Sequence, residues 1–412
     1  MHMAHQEIDL FDAANFDDGF PYDYFEKLRR DDPVHWNETS QGWGFWNLTK
    51  HEDVRRMSRE PHTFSSAVAG TNIWDVPDED LEGVRSMMLN MDPPKHAKYR
   101  RIVAKNFTPR QVATMEEKIR KFASETIDAV ANKGEVEFVA DIAAQLPMRV
   151  INDLMGVPEV DHQKLVDLSN RLIGFDDPEY QGSFNDGREA AAEVCMYALG
   201  LAAEVQRCPA HNIANDLLNG KVDGQPLSEM DFGFFFLLLT IAGNETTRTV
   251  TSQGMRWLME NRDQYELLVR KPDLIPLGIE EMLRVNPPVM HFRRTLTEDV
   301  EIRGKQLKTG QKVVMWYPSA NRDEEIFADP NRFDVTRNPN DHLSFGIGEH
   351  FCIGAHIARL QLNAIFEQLL GRLADMELVS PPRRLRGNFV DGIKEMHVRF
   401  TPEGVSPKLA AG

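Results

Sequence analysis

The sequence predicts a mainly α fold with small β-sheets, on three observations. Over residues 109–201 apolar positions recur at helical period, broken at Gly134, at Gly156-Val157-Pro158 and over 174–182. After Ser228, the run Phe234-Phe235-Phe236-Leu237-Leu238-Leu239 is apolar all round, which marks a helix crossing the interior. Strand-like segments are short: residues 43–48, 293–295, 300–302, 305–307 and 313–317.

The remaining elements follow in order. The first forty residues are acidic and carry Phe11, Phe16, Phe20, Tyr22, Tyr24 and Phe25, a wrapping segment that leads into a helix over 22–30. A second helix is predicted over 51–59, then a loop-rich stretch over 64–81 with Gly70, Trp74 and Pro77. Pro93-Pro94 can start a helix that sets His96 and Arg100, four apart, on one face. Such donors suit a carboxylate partner, although a solvated helix face has the same pattern. A helix around Ile279 spaces Glu281 and Arg284 three apart for pairing and ends at Asn286-Pro287-Pro288. A long amphipathic segment covers 355–370, and 387–393 reads as a hairpin.

Composition narrows the function. The chain has 412 residues, 42% of them apolar, enough for a substantial core. A net charge of −17 repels nucleic acid. The longest apolar run, 232–243, is too short to span a bilayer, and the N-terminus lacks the features of a signal peptide, so no membrane anchor is expected. Three cysteines (Cys195, Cys208 and Cys352) make no disulfide framework and point to a reducing cytoplasm.

Chemistry concentrates in Phe345-Gly346-Ile347-Gly348-Glu349-His350-Phe351-Cys352-Ile353-Gly354. The glycines permit tight turns and the close approach of a flat ligand. The helix start behind them points N–H groups at the cysteine, which favours an anionic sulfur. A thiolate of this kind can hold haem iron. A lone cysteine beside a helix is more often a small buried hydrophobe, and a Gly-rich loop can be a weak phosphate cradle. A second motif lies inside the interior helix, Ala242-Gly243-Asn244-Glu245-Thr246-Thr247. Glycine, an acid and two threonines are unfavourable there, so the turn asks for a reason. Thr246 can bond a backbone carbonyl and open the helical ladder locally.

The ten-residue Cys motif resembles the haem-binding signature of the cytochrome P-450 family, F-G-x-G-x-H-x-C-x-G. The turn at 242–247 is similar to the family's acid–alcohol pair, with Glu for the commoner Asp. The resemblance runs from about residue 20 to the C-terminus. It implies a single cytochrome P-450 domain over 1–412, with 1–20 a leader segment, partly flexible. It implies haem b, with Cys352 as the axial iron ligand. His96, Arg100, Arg294 and His350 would neutralise its propionates, with Ala242, Phe345 and Gly354 beside it. Gly243 would let the interior helix approach the macrocycle. Thr246 would act at the oxygen site and Glu245 would relay protons. Glu281 and Arg284 would pair beneath the haem with the loop carrying Arg332.

The implied activity is monooxygenation of a C–H bond with O2, using electrons from NAD(P)H through a ferredoxin or flavodoxin and its reductase. The donor would dock on Lys98, Arg101 and Lys105, which share one face of the helix carrying His96. Glu349 departs from the basic or neutral residue often found nearby. Expected pocket positions are Ile73, Trp74, Leu238, Ile241, Ala242, Val289, Met290, Phe389 and Val390. They are apolar and favour a terpenoid, sterol or alkyl-chain substrate. The wording of 242–247, 319–327 and 338–342 is most similar to bacterial sterol- and terpene-oxidising members. A monomer is expected. The rival readings are a peroxide-driven peroxygenase, against which Glu245-Thr246 argues, and a non-catalytic haem sensor or carrier, in which proton delivery would be superfluous.

Overall fold

The computed structural model describes residues 8–180, 184–207 and 212–404. Cys208, the first seven residues and the end of the 174–182 break lie outside the described residues. The rest of the N-terminal segment wraps the body, laying Leu10, Phe16 and Phe20 into a cluster with Phe25, Phe45 and Trp316.

Helix α1 (Tyr22–Asp31) leads into the antiparallel pair β1 (Val34–Glu38) and β2 (Gly44–Leu48), then α2 (His51–Arg59) and β3 (Phe64–Ser65). The stretch over 64–81 is loop only in part. Helix α3 (Asp78–Ser86) begins inside it, with Asp78, Glu79 and Asp80 complementing the dipole in its first turn. Helix α4 (Lys95–Ala104) follows Pro93-Pro94 directly.

The predicted helical region contains α5 (Pro109–Ala113), α6 (Glu116–Asp128), α7 (Gln145–Met155), α8 (His162–Ile173) and α9 (Phe184–Arg207). It also holds a strand that periodicity did not show, β4 (Glu135–Glu137), entered through Gly134 at a φ of 79°. Next come α10 (Ile213–Leu218) and the small hairpin β5 (Lys221–Val222) and β6 (Gln225–Pro226).

The predicted interior helix is α11 (Glu229–Glu260), started by a capping box between Ser228 and Asp231. It packs against α7, α8, α9, α13 (Ile275–Val285) and α15 (Ala355–Arg372), so both its sides are covered; α12 (Arg262–Arg270) and α14 (Tyr317–Ala320) complete the helices. Tyr317, expected to end a strand, instead opens α14. Around these lie β7 (His291–Leu296), β8 (Val300–Ile302), β9 (Lys305–Leu307) and β10 (Lys312–Trp316). The C-terminal strands are β11 (Glu377–Leu378), β12 (Arg383–Arg384), β13 (Ile393–Glu395) and β14 (His397–Arg399). The largest sheet runs β1-β2-β10-β7-β3, and β14 joins β11 to the unforeseen β4. The 387–393 stretch is the turn between β12 and β13, and its Val390 bridges Val289.

A buried charge network ties α13 to the loop before the Cys motif. Arg284 meets Glu281 through two N–H···O bonds of 2.8 Å, and both side chains are fully buried. Its other donors reach the carbonyls of Asn321, Pro330 and Arg332. Arg332 therefore contributes a backbone oxygen, and its side chain is exposed, contrary to expectation. The turn from Asp329 to Arg332 aims that carbonyl inward, and Arg337 supplies the second cation at 3.2 Å from Glu281.

Replacing Arg284 by Ala leaves Glu281 buried with a single cation. Urea unfolding should show a loss of about 3–5 kcal/mol. Arg332→Ala keeps the carbonyl and should stay within about 0.5 kcal/mol of the parent.

Candidate active site

A cavity of about 250 Å³ lies between α11 and the Cys loop with α15. On one wall α11 presents Leu238, Leu239, Ala242, Gly243, Thr246 and Thr247. The opposite wall carries Phe345, Cys352, Gly354 and Ile357. His96 and Arg100 from α4, Arg294 from β7 and His350 also line it. The residues expected to hold a cofactor thus converge on one space.

The Cys loop is shaped by two left-handed glycines, Gly346 at φ 66° and Gly348 at φ 75°. A Cβ on Gly348 would also collide with the Ser58 carbonyl of α2. The Cys352 N–H donates to the Phe345 carbonyl at 2.8 Å and closes the loop. The sulfur faces the cavity. Burial pushes the Cys352 thiol up; the Gly354 N–H, Arg100 and Arg359 act in the other direction without overcoming it. Burial thus opposes the helix start, which the sequence reading expected to favour an anionic sulfur. A metal cation against the sulfur would stabilise the thiolate, because ligation displaces the proton.

The donor cluster is buried in the same way. The rings of His96 and His350 lie 4.2 Å apart. Burial, then Arg100 and Arg294, pull His96 down to about 4 against the opposing Asp92. Burial, then Arg294, His96 and Arg100, bring His350 to about 2. Arg294 is buried, and Arg100 donates to the Phe351 carbonyl at 2.6 Å. Two guanidiniums and two imidazole donors around one space suit an occupant with two carboxylates. The sulfur, the donors and the apolar walls together fit haem.

On α11 the expected roles separate. The Thr246 hydroxyl donates to the Ala242 carbonyl at 2.8 Å. The helix stays α-helical there, so the ladder is not opened, because this back-bond leaves the backbone bonds in place. Glu245, the expected proton relay, does not line the cavity. One residue along a helix turns it by about 100°, and it pairs instead with Arg248 at 2.5 Å. Arg248 in turn donates to Asn170 of α8 at 2.8 Å. Gly243 lines the cavity and also serves helix packing: a Cβ there would sit 2.8 Å from the Ile151 side chain of α7.

Of the expected pocket residues, Leu238, Ala242 and Val289 line the cavity. The other six do not. Ile73 and Met290 are buried in the N-terminal cluster, and Ile241 packs on the main core. Trp74 lies against Phe175, ring centres 4.1 Å apart, and Phe389 lies against His291 and Phe292. Val390 meets Val289 through backbone. Strand alternation turns Met290 away from the side that Val289 faces. Met88, Leu89, Val150, Ile151 and Leu154 are wall residues that the sequence reading missed. Their only signal was apolar periodicity, which core residues share. The cationic face of α4 is also not free: Lys98 pairs with Asp223 and Lys105 with Asp216, each at 2.7 Å.

A family profile for cytochrome P450 matches residues 274–395. A steroid C26-monooxygenase of Rhodococcus jostii is 38% identical over 411 residues, 97% of this chain and 86% of that protein. A linalool 8-monooxygenase of Pseudomonas putida is 36% identical over 390 residues, 93% of this chain and 96% of that protein. A Mycobacterium marinum cytochrome P450 solved in complex with pseudoionone matches with a TM-score of 0.89 at 36% identity, over 97% of this chain and 100% of that one. The chain belongs to the cytochrome P450 family, and it is a monooxygenase of the mainly α P450 fold. Haem and O2 come with that family. Among the described residues no helix is long and apolar enough to cross a membrane.

If Gly243 serves the α7–α11 contact, Gly243→Ala should destabilise by about 1–3 kcal/mol through overpacking. Adding Ile151→Ala should recover part of that in thermal melts of the apoprotein. No recovery would return the glycine to a role beside the macrocycle.

Proposed function

We propose that this monooxygenase hydroxylates an unactivated C–H bond of a terpenoid, a sterol or a branched alkyl chain. The observation that supports it best is the Cys352 sulfur facing, across one cavity, the apolar side of α11 and the Thr246 hydroxyl. In this reading Cys352 ligates haem b, and bound haem supplies the activation of O2. His96, Arg100, Arg294 and His350 hold the propionates and so fix the ring's orientation. Leu238, Leu239, Ala242 and Val289 exclude water and leave apolar contact as the main means of holding substrate. The relatives named for a steroid and for linalool support that substrate class.

Thr246 holds a hydroxyl at the cavity wall that can pass a proton once it leaves the Ala242 carbonyl. Glu245 would join that path only after parting from Arg248. Electrons would come from NAD(P)H through a ferredoxin or flavodoxin and its reductase. With Lys98 and Lys105 paired, Arg101 is the member of the stripe left for such a donor. A cytoplasmic monomer is part of this reading, and the free thiol of Cys195 accords with a reducing setting.

The purified protein should show the strongly red-shifted ferrous–CO band of thiolate ligation, and Cys352→His should abolish it. A Cys352→Ser variant that keeps the band would overturn the assignment. Thr246→Ala should retain haem while product formed per NAD(P)H falls and hydrogen peroxide release rises; proton-transfer groups contribute about 10²–10⁴-fold. Unchanged coupling would remove Thr246 from the proton path.

A further inference from the structure

Arg359 stands in the second turn of α15, behind the Cys loop, and Glu280 stands on α13 beside Glu281. Successive residues on a helix point about 100° apart, so Glu281 meets the chain before the loop and Glu280 meets the helix behind it. Arg359 donates from Nε and Nη2 to the two Glu280 oxygens, at 2.6 and 2.7 Å. Glu280 also accepts from His342 Nε2 at 3.0 Å. The His342 Nδ1 accepts the Ser344 N–H at 3.2 Å, so the ring proton is on Nε2 and the histidine adds a bond without a charge. Burial alone would raise the Glu280 carboxyl; the bonds from Arg359 and His342 overcome it and bring it to about 2, so the partner of Arg359 is a carboxylate.

This fork fixes where the guanidinium lies. It rests on the Phe345 ring, 4.4 Å from its centre, and Phe345 lines the cavity beside Cys352. The Phe345 carbonyl accepts the Cys352 N–H at 2.8 Å, so ring, cation and sulfur are tied together. Arg359 is among the charges that act on the Cys352 sulfur, in the direction that favours its anionic form. The loop does not need an ion pair here to keep its shape. Ser344 donates to the Leu283 carbonyl at 2.7 Å, and the Leu343 N–H donates to Asn321 at 2.7 Å. The Arg359 side chain is 33% exposed and that of Glu280 24%, and pairs with such access to water add little stability. What the pair supplies beyond fastening is a charge of fixed position near the sulfur.

We infer that the Glu280–Arg359 pair sets the reduction potential of the haem: Arg359 places a positive charge near the Cys352 sulfur that favours the ferrous state, and Glu280 holds that charge in place and limits its strength. Neither side chain lines the cavity, so both are positioning residues that act through the sulfur. The inference rests on the proposed reading of Cys352 as the iron ligand. The test is a dithionite titration of the haem-loaded, substrate-free enzyme with redox mediators, followed by absorbance. Arg359→Gln should lower the ferrous-to-ferric ratio at a given potential by about tenfold, a shift of about 59 mV for one electron. Glu280→Gln keeps an acceptor for Arg359 but removes the opposing charge, and should raise the ratio by about threefold. The double variant should return to within about threefold of the parent. Arg359→Lys keeps the charge without the fork and should fall less than Arg359→Gln.

A pair that only braced the loop would loosen it in every variant and move every potential the same way. Shifts of one sign in Arg359→Gln and Glu280→Gln would therefore overturn the inference, as would parent-like potentials in both. A lysine variant as low as the glutamine one would overturn the role of charge. The ferrous–CO band of the parent reports the sulfur ligand by itself. Its absence would overturn the reading of Cys352, whereas a parent with the band and variants with unmoved potentials would overturn this inference alone. Should Arg359→Gln fail to retain haem, Glu280→Gln decides: a higher ratio supports the inference, and an equal or lower one overturns it.

Discussion

Both flanks of the Cys loop are fastened to the last two turns of α13. Glu280 binds Arg359 at 2.6 Å beyond the cysteine and His342 at 3.0 Å before it. Glu281 and Arg284 hold the chain from Asn321 to Arg337. The Leu283 carbonyl accepts from Ser344, and Asn321 accepts the Leu343 N–H. Arg359 lies over the Phe345 ring, 4.4 Å from its centre. A buried ion pair of this kind adds little stability over an apolar replacement, but separating it exposes an uncompensated charge. Its effect is to exclude other arrangements of the loop, and so to fix where the Cys352 sulfur points.

The cavity depends on that fixed sulfur and on α11 passing opposite it. Because α11 is packed on several sides, its position is set by neighbours such as Ile151 against Gly243. One turn of it then serves two regions. Thr246 reaches the cavity, while Glu245 is held by Arg248 and through it by α8. The cavity is polarised along its length. Two guanidiniums and two imidazoles supply donors to it, and much of the remaining lining is apolar, with Thr246, Thr247 and Cys352 among the exceptions. An amphiphilic, flat group with two carboxylates suits such a lining, and its carboxylates would offset the burial and the neighbouring guanidiniums that depress His96 and His350.

What the sequence by itself determined lies within single elements. The Cys motif, the His96–Arg100 face, the Glu281–Arg284 pair and the apolar circumference of α11 are spacings along one helix or loop. Local geometry obliges such spacings to share a face, and the structure sets those residues where the spacing requires. The helices over 22–30, 51–59 and 355–370 were legible for the same reason, since periodicity and end signals are local. What stands opposite each face was decided only by the tertiary structure. Lys98 and Lys105 lie on one helical stripe, yet whether they are free depends on Asp223 and Asp216, 125 and 111 residues away. Arg337 rather than Arg332 meets Glu281 because the intervening chain turns, and β4 exists because β14 pairs with it. Wall residues such as Leu154 and core residues such as Ile73 carry the same apolar signal, and only the packing of distant segments decides which of them faces the cavity.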